Sequence, residues 1–580
     1  MSKNHKAGKA AWRVLTLMTA ASVMAGGAVY AAVPPVPEKV QDSQHEINQN
    51  INALPVNPGR NGQSGEKQGT AEVENQLPEK GSEQQDVKFT IQNFRLDARE
   101  MHLNKEDLSA ILTPAMDRPM TIADLNRTLD ALTRYCRQHG YPAAAAYVPA
   151  QEAKEGVVLL KITPGRYGEV KLENHSKLKD RVAQSFVNGL KKGSIIETAG
   201  LETTLYSISD VSGTKAVGVL TPGKAFGTSD LTVRIENGKG ENTVTYVENY
   251  GSKNAGRYRL GLQESLYDVG GTGAKLNAGT LLSNHDMHNF YVNYETLVGH
   301  GGTTLGVGVS RMDYELGSRL SDMGAMGIST TLSLFGSVPV YHLTDRMLRF
   351  DYGYDYRDMH DDLDAYNLSG KKHSHSVHAG LSGYWKRNGF ISDYTFRLVH
   401  GTVGMDTWYS RLLGERSNTE GQYTKAEFSL DATHSLGHRT DVLVKTSAQL
   451  AESNLDGSEE FYLGGANGVR AYPQGEGSGD EGILGSAEFR YYTDTPGLVL
   501  STYFDIGHVA YNKNGAKESV LNGVPKKGQT LKGWGLGAAY QQPDDWFARL
   551  DYARRIGGDE NLTEDAKAKG RAWFMFGKIW

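Results

Sequence analysis

The chain has 580 residues, which is more than one ordinary domain needs and enough for three or four. Its net charge of −5 does not suggest nucleic acid as a partner. Its 68 glycines and 30 tyrosines suit many short strands with aromatic girdles, not a bundle of membrane-spanning helices. The single cysteine, Cys136, excludes an intramolecular disulfide and multi-cysteine metal sites. It shares one helical face with Leu125, Leu129 and Leu132, which predicts a buried thiol.

Residues 1–31 have the features of a secretory signal. A basic start precedes an apolar stretch at 14–29, and small residues permit cleavage after Ala31. An uncleaved anchor is the alternative, but the apolar stretch is shorter than the ~20 residues that a membrane-spanning helix needs. Since the sequence contains no other long apolar run, a membrane-embedded part has to be a closed barrel.

Residues 32–86 are rich in Pro, Gln, Glu, Asn and Gly and poor in apolar side chains, so they are predicted to be a linker. Within them, residues 38–51 have enough periodicity for one short polar helix. Such a helix could plug a pore, and the sequence leaves that possibility open.

Two small α+β domains are predicted next, at 87–164 and 165–238, each in the order β-α-α-β-β. In the first, Thr121 and Asp124 form a capping box for a helix that runs to His139 and stops at Gly140. The second domain repeats the pattern with strands at 167–172, 216–220 and 230–235 around two helices.

From residue 242 to 580 the helical periodicity gives way to alternation. Apolar residues alternate with polar residues or glycine in segments of about ten residues, as in transmembrane strands that face lipid on one side and water on the other. Sixteen such segments can be placed, starting near residues 243, 256, 274, 288, 303, 325, 346, 373, 391, 421, 439, 482, 499, 531, 545 and 571.

The connections between these segments alternate in length. Links after even-numbered segments are short, whereas several after odd-numbered segments are long: 404–420, 452–481, 510–530 and 556–570. Outer-membrane barrels show this asymmetry, with short periplasmic turns and long outer loops. A soluble β-sandwich is the alternative, and it has no need of the asymmetry. The last segment ends in Phe576 and Trp580, and a terminal aromatic residue of this kind resembles the signal read by barrel assembly machinery.

Four stretches carry a family resemblance. They are Gly140-Tyr141-Pro142 with the following Pro149, Gln151 and Gly156; Val469-Arg470-Ala471-Tyr472; Glu488-Phe489-Arg490; and Phe504-Asp505-Ile506-Gly507. Over about residues 87–580 the chain resembles the transporters of two-partner secretion, the family of the haemolysin secretion/activation proteins. The resemblance implies two polypeptide-transport-associated (POTRA) domains before a sixteen-stranded antiparallel membrane barrel. Ala471 departs from the family's Val-Arg-Gly-Tyr/Phe loop motif, and alanine does not comfortably adopt the positive φ that glycine permits.

The resemblance also implies a lock between a loop and the barrel wall. The loop at 452–481 would fold back into the lumen, where Arg470 and Asp505 can form a bidentate pair, because strand parity directs the Asp505 carboxylate inward. Val469, Tyr472, Gly507, Glu488 and Arg490 complete the predicted lock. An exposed loop arginine and an ordinary lumen-lining aspartate are the alternatives.

The implied function is export of an unfolded exoprotein of haemolysin or adhesin type across the outer membrane. Tyr141, Pro149 and Gln151 mark the predicted docking site, and the POTRA domains would lie in the periplasm. Outer-membrane lipid and the barrel assembly machinery are the other expected partners, and neither nucleic acid, a cofactor, a metal nor an enzymatic activity is expected. An assembly factor that inserts barrels is the alternative, and a passive porin is a third reading. The histidines at 373, 375 and 378 only weakly suggest zinc, since their strand parities differ.

Overall fold

A computed structural model describes residues 71–75, 88–151, 156–514, 520–521, 524–525, 527–542, 545–557, 562–563 and 565–580. The predicted signal at 1–31 and most of the predicted linker, with its possible plug helix, lie outside the described residues.

The α+β part contains strands β1 to β7 and helices α1 to α4. The strands are β1 (Ala71–Asn75), β2 (Asn93–Asp97), β3 (Ala145–Tyr147), β4 (Val157–Thr163), β5 (Arg166–His175), β6 (Lys215–Pro222) and β7 (Thr228–Glu236). The helices are α1 (Lys105–Leu112), α2 (Ile122–Gln138), α3 (Asp180–Val187) and α4 (Thr198–Ser212).

The barrel part contains strands β8 to β23 and helix α5. The strands are β8 (Glu241–Glu248), β9 (Arg259–Leu266), β10 (Lys275–Ser283), β11 (His288–Leu297), β12 (Thr304–Glu315), β13 (Ala325–His342), β14 (Arg346–Leu363), β15 (Leu368–Arg387), β16 (Phe390–Met405), β17 (Gly421–Ser435), β18 (Thr440–Ala451), β19 (Glu481–Tyr492), β20 (Leu498–Ala510), β21 (Gly528–Gln541), β22 (Trp546–Arg555) and β23 (Gly570–Ile579). Helix α5 spans Trp408–Ser417, and two-residue strands pair Phe461–Tyr462 with Ser478–Gly479.

The first α+β domain packs α1 and α2 on a sheet with strand order β2-β4-β3. Helix α2 begins where predicted, because the Thr121 hydroxyl accepts from the Asp124 N–H and the Asp124 carboxylate accepts from the Thr121 N–H. It ends at Gln138, and Gly140 takes the positive φ that stops the chain from continuing as a helix. Cys136 is fully buried in the core under this helix, as predicted.

The second α+β domain has the sheet order β1-β6-β7-β5, with α3 and α4 on one face. The outer strand β1 comes from the segment that composition predicts to be linker. Its backbone pairs in parallel with β6, from Ala71 opposite Ala216 to Asn75 opposite Leu220. Only five residues take part, and an added edge strand depends on an exposed neighbour that composition does not reveal. The expectation of an unstructured linker is therefore wrong for these five residues.

The remaining strands close into a sixteen-stranded antiparallel barrel in sequence order from β8 to β23. The predicted starts agree with the structure to within a few residues. The largest difference is β15, which starts at Leu368 and not near 373, because the polar stretch from Leu368 to Lys372 continues to pair with β14. At the seam β8 meets β23 only from Val244 to Glu248, the shortest pairing in the barrel.

Side chains alternate across the barrel wall. Large apolar side chains are exposed on its outer surface, among them Leu260, Val307, Leu334, Leu398, Phe504, Leu536 and Leu550. The intervening residues face the interior, which explains why the period of two was readable in the sequence. Among the helices of the described residues, none combines the length and hydropathy of a membrane-spanning helix.

The second α+β domain is attached to one end of the barrel, called the near end below. Helix α4 lies against the β13–β14 turn, where the Thr203 hydroxyl accepts from the His342 N–H at 2.9 Å and His342 Nδ1 lies 2.8 Å from an Asp210 oxygen. A second short turn also participates, because the Lys179 N–H donates to the Gly271 carbonyl at 3.0 Å. The short turns and the α+β domains therefore share one end, as their lengths predict.

Cys136 provides a test of the first domain's packing. Burial raises the pKa of its thiol to about 11, and the thiolate is the reactive form. We expect alkylation by iodoacetamide at pH 8 to be slow in the folded protein and fast in denaturant. Because the chain has no other cysteine, mass spectrometry reads the result directly. Equal rates in both states would contradict the buried placement.

Candidate functional site

A long loop between β18 and β19, residues 452–480, turns back into the barrel. It forms a tight hairpin: the Leu463 N–H donates to the Gly477 carbonyl at 2.9 Å, and the Gly464 N–H donates to the Glu476 carbonyl at 2.8 Å. At its tip the Val469 N–H donates back to the Leu463 carbonyl at 2.7 Å. These bonds fix the backbone on both sides of Arg470 before any side chain meets the wall.

Arg470 binds the barrel wall through its backbone and its whole guanidinium. Asp505 on β20 accepts from the Arg470 N–H at 3.1 Å, from Nε at 2.9 Å and from Nη2 at 2.8 Å. Glu488 on β19 accepts from Nη1 at 2.8 Å. The pairing is bidentate, as predicted, and Asp505 is completely buried. Because charge-assisted bonds of this geometry are strong and directional, they hold the tip in one place.

A second arginine takes part in the same group of charges. Arg549 on β22 donates from Nε to Asp551 at 2.6 Å and lies 3.5 Å from Glu488. Asp551 is also 3.5 Å from Arg470. Three carboxylates, those of Asp505, Glu488 and Asp551, are thus shared by two guanidinium groups. Buried charges persist only when they are paired in this way.

Two aromatic residues also contact Arg470. The Tyr503 ring lies under the guanidinium, with the ring centroid 3.1 Å from Cζ. The Trp573 indole N–H, on the last strand β23, donates to the Arg470 carbonyl at 2.6 Å. Sequence reasoning did not assign Tyr503, Trp573, Arg549 or Asp551 to the lock. Tyr503 shares the inward face of β20 with Asp505, whereas the other three come from β22 and β23, which are distant in sequence. Only their inward parity marks them, and they share it with many other residues.

Apolar residues of the predicted lock seat the loop tip. Val469 and Tyr472 are buried beside Leu463 against the wall. Gly507, two residues from Asp505 on the same face, leaves room for the loop: a Cβ there would lie 2.6 Å from Leu463 Cδ2. The Asp-x-Gly pattern therefore pairs a charge partner with a space for the loop.

Ala471, the departure from the family motif, is accommodated by the wall. It is not among the described residues with positive φ, so its backbone does not need glycine. Its methyl group occupies the space above Gly533 on β21, where an added Cβ would lie 2.5 Å from Ala471 Cβ. Because Gly533 has no side chain, β21 leaves room for the Ala471 methyl group, and the departure from the loop motif is accommodated.

Arg490, predicted as part of the lock, makes a different pair. Its Nε donates to Asp441 Oδ1 at 2.7 Å and its Nη2 to Asp441 Oδ2 at 3.1 Å, so it ties β19 to β18 within the wall. Arg490 is the next inward residue after Glu488 on β19, about two residues' rise further along the strand. It therefore lies closer to the near end of the barrel than Glu488, which contacts the loop tip. Its assignment to the lock is corrected to a wall contact.

The three residues predicted to dock a partner have structural contacts. Tyr141 is buried, and its hydroxyl accepts from the His102 N–H at 2.9 Å. Gln151 satisfies both backbone groups of Leu159 on β4, at 2.8 and 2.7 Å. Pro149 is half-buried between them in the chain. Tyr141 therefore shapes the domain from inside, and direct contact with a partner is excluded for its ring in this conformation.

The C-terminal aromatics lie at the near end of the seam. Phe576 is exposed on the outer surface and stacks on Trp546 with 5.2 Å between ring centroids. The Trp580 N–H donates to the Thr243 carbonyl of β8 at 2.9 Å. Lys578 places Nζ 3.8 Å from the centroid of the Trp580 ring, which is a cation–π contact.

Each histidine of the 373–378 cluster has its own partner. His373 Nδ1 lies 3.0 Å from Asp406, His375 Nδ1 lies 2.6 Å from the Tyr354 hydroxyl, and His378 Nδ1 lies 3.3 Å from Asp355. Two of the three therefore do pair with a carboxylate, which the sequence did not indicate. No group of three metal-binding side chains forms among the residues that the structure describes.

The contact between Ala471 and Gly533 gives a prediction about the loop. Gly533→Ala should force the two methyl groups together and unseat the tip, lowering the temperature at which the barrel loses its heat-modifiable gel mobility. Adding Ala471→Gly should restore that temperature, because the pair would again hold one methyl group.

Gly485→Ala is the matched control on β19, since its nearest neighbouring atom would be 3.9 Å from the new Cβ. An unchanged transition in Gly533→Ala, or no recovery in the double variant, would contradict the packing.

Sequence comparisons identify both parts of the chain. Residues 89–165 match the POTRA domain of ShlB type, and residues 227–539 match the family described as haemolysin secretion/activation protein ShlB/FhaC/HecB. The heme/hemopexin transporter protein HuxB of Haemophilus influenzae is 27% identical over 501 residues, covering 83% of this chain and 86% of the relative. The outer membrane transporter CdiB of Escherichia coli O6:K15:H31 is 23% identical over 403 residues, covering 66% of this chain and 65% of that protein.

Solved structures agree in fold. CdiB from Escherichia coli superposes with a TM-score of 0.66 at 17% identity, covering 93% of this chain and 96% of that one. CdiB from Acinetobacter baumannii gives 0.62 at 15% identity with the same coverage. A POTRA-type domain ahead of a closed sixteen-stranded barrel is thus an arrangement found in outer-membrane transporters, and the matched profile covers more than half of the chain. The chain therefore belongs to the haemolysin secretion/activation (ShlB/FhaC/HecB) family, the outer-membrane transporters of two-partner secretion.

Proposed function

We propose that this transporter binds one large exoprotein, of haemolysin or adhesin type, in an unfolded state on its periplasmic α+β domains. The exoprotein passes outward through the barrel lumen, and the loop at 452–480 is the gate. The Haemophilus relative is named for heme/hemopexin, so an exoprotein of that system is one cargo to test.

The placement of Arg470 is the observation that carries the proposal. A sixteen-stranded barrel is wide enough for water or an extended chain. Here a loop lies in that space, held at its tip by ionic and hydrogen bonds and by the apolar contacts of Leu463, Val469 and Tyr472. Water can replace the polar bonds when the loop moves. The gate is thus strong when closed and reversible.

The sheet edges of the α+β domains support docking by strand addition, in which backbone hydrogen bonds suit many sequences. The outer strands are β2 and β3 in the first domain and β5 and β1 in the second. Gln151 fills the position beside Leu159 that an added strand would take on β4. An incoming segment can replace the Gln151 amide by its own backbone groups, which keeps this residue in the proposed docking site.

Assembly of other barrels remains the second candidate, because one observation favours it. The seam between β8 and β23 pairs only from Val244 to Glu248, and the adjoining Asn249 continues it through side-chain bonds to Phe574 and Ala572. A short seam is easier to open sideways than the other strand pairs. An assembly factor would use such an opening, whereas a lumen exporter would not.

Arg470→Ala tests the gate. The change leaves three buried carboxylates to Arg549 alone, and breaking a buried ion pair costs about 3–5 kcal/mol. We expect the barrel to insert and keep its heat-modifiable mobility. The exoprotein in the medium should fall at least about tenfold per inserted barrel, because a loop without the Arg470 pair no longer returns to the conformation from which export starts.

Arg490→Ala is the matched control, because it removes an equally buried arginine whose partners lie in the wall alone. It should leave secretion per inserted barrel near that of the parent. Normal secretion by Arg470→Ala, or an equal loss in both variants, would remove the lock from the mechanism.

A disulfide across the seam separates the two candidate functions. Thr245 on β8 faces Lys578 on β23, so Thr245→Cys with Lys578→Cys should close the seam on oxidation. Lumen export predicts equal secretion with and without reductant. Secretion that appears only after reduction would instead support lateral opening.

A further inference from the structure

A second group of buried charges holds the gate loop, separately from Arg470. Near the start of the loop, Asp456 lies 2.8 Å from Lys372 Nζ on β15. Glu459 lies 3.1 Å from Arg357 Nη1 on β14 and 3.0 Å from Lys425 Nζ on β17. All five side chains are at least four-fifths buried.

The wall residues of this group also bind the backbone of the loop. Arg357 also donates to the Ser458 carbonyl at 3.4 Å, and Lys425 donates to the Glu459 carbonyl at 3.1 Å. Gln449 on β18 donates to the same carbonyl at 3.0 Å. Backbone and side chains of the loop are therefore bound together, which is more than charge neutralisation requires.

The loop supplies carboxylate partners to three cations of the wall. Asp456 pairs with Lys372, and Glu459 pairs with Arg357 and Lys425. Lys425 also has a partner within the wall, Glu427 at 2.8 Å from its Nζ. If the loop left, the pairs with Asp456 and Glu459 would be broken, and breaking a buried ion pair is costly. The closed loop is thus favoured electrostatically at this place.

The two attachments use different strands of the barrel. The cations that bind Asp456 and Glu459 lie on β14, β15 and β17, whereas the carboxylates that bind Arg470 lie on β19, β20 and β22. Glu459 and Arg470 are eleven positions apart in the loop. The loop is therefore fastened to the wall at two separate places.

We propose that Asp456 and Glu459, with Arg357, Lys372 and Lys425, form a second anchor that keeps the gate closed independently of the Arg470 lock. The proposal rests on the loop's role as the gate. Release of one attachment leaves the loop held by the other, and full opening requires release of both. The five residues are positioning residues for the gate.

Ion conductance of the full-length protein in planar bilayers tests the anchor without the exoprotein. Asp456→Asn with Glu459→Gln keeps the shape of both side chains and removes their charges. We expect the fraction of time open to rise about tenfold, as loss of charge-assisted hydrogen bonds would give. Combined with Arg470→Ala, the increases should multiply, because the attachments share no residue.

Two further variants separate an anchor from a general structural effect. Exchanging the charges in Lys372→Asp with Asp456→Lys should return the open fraction toward that of the parent, whereas Lys372→Asp alone should raise it. Lys445→Met removes a wall cation whose partner, Asp431 at 3.3 Å, is also in the wall, and it should leave conductance unchanged.

The outcomes distinguish this proposal from the function on which it rests. Conductance that rises with Arg470→Ala but not with the Asp456 and Glu459 changes would overturn the second anchor and leave the lock intact. A triple variant no more open than Arg470→Ala would also overturn it. If the increases in open fraction multiply in the triple variant while secretion stays unaltered, the anchor is confirmed and the proposed role of the loop in export is refuted.

Discussion

The position of the 452–480 loop inside the barrel depends on one buried guanidinium, that of Arg470, placed among carboxylates from three strands. Asp505, Glu488 and Asp551 converge because β19, β20 and β22 each present an inward side chain at the same height. Their mutual repulsion would be costly in the interior, and Arg549 relieves only part of it. Arg470 of the loop thus offsets negative charge that Arg549 leaves uncompensated in the wall. This attraction determines where the loop lies.

The second group of buried charges uses the same principle with the charges reversed. There the strands supply Arg357, Lys372 and Lys425, and the loop supplies Asp456 and Glu459. In both places charges of the loop pair with buried charges of the wall. Apolar contacts seat the loop at its tip, where Gly507 and Gly533 leave space for Leu463 and Ala471, and near its start, where Leu455 is buried in a cluster with residues of the wall. Shape therefore fixes where the loop rests, while the ion pairs add to how firmly it is held.

The attachment of the α+β domains complements this arrangement. Helix α4 lies on the β13–β14 turn through Thr203 and Asp210, so the second domain sits at the near end of the lumen. A chain bound along the outer strands of these domains would be held close to the near end of the barrel. The strand β1 already occupies one of those edges, which leaves β5 as the other outer strand of that sheet.

The sequence by itself determined the fold class, the sixteen strands and the two α+β domains, and with the family resemblance of its loop motif it also indicated the Arg470–Asp505 pair. The elements depend on short-range patterns, a period of two for strands and a period of 3.6 for helix α2. Parity gave the inward direction of Asp505, whereas the path of the loop into the lumen came from the resemblance. The tertiary structure alone decided which inward residues meet. It brought Trp573 to Arg470 and Asp456 to Lys372, moved Arg490 to a wall pair, and added β1 to β6. These contacts join residues far apart in the chain, and their geometry depends on barrel closure and the path of the loop, which no local pattern encodes.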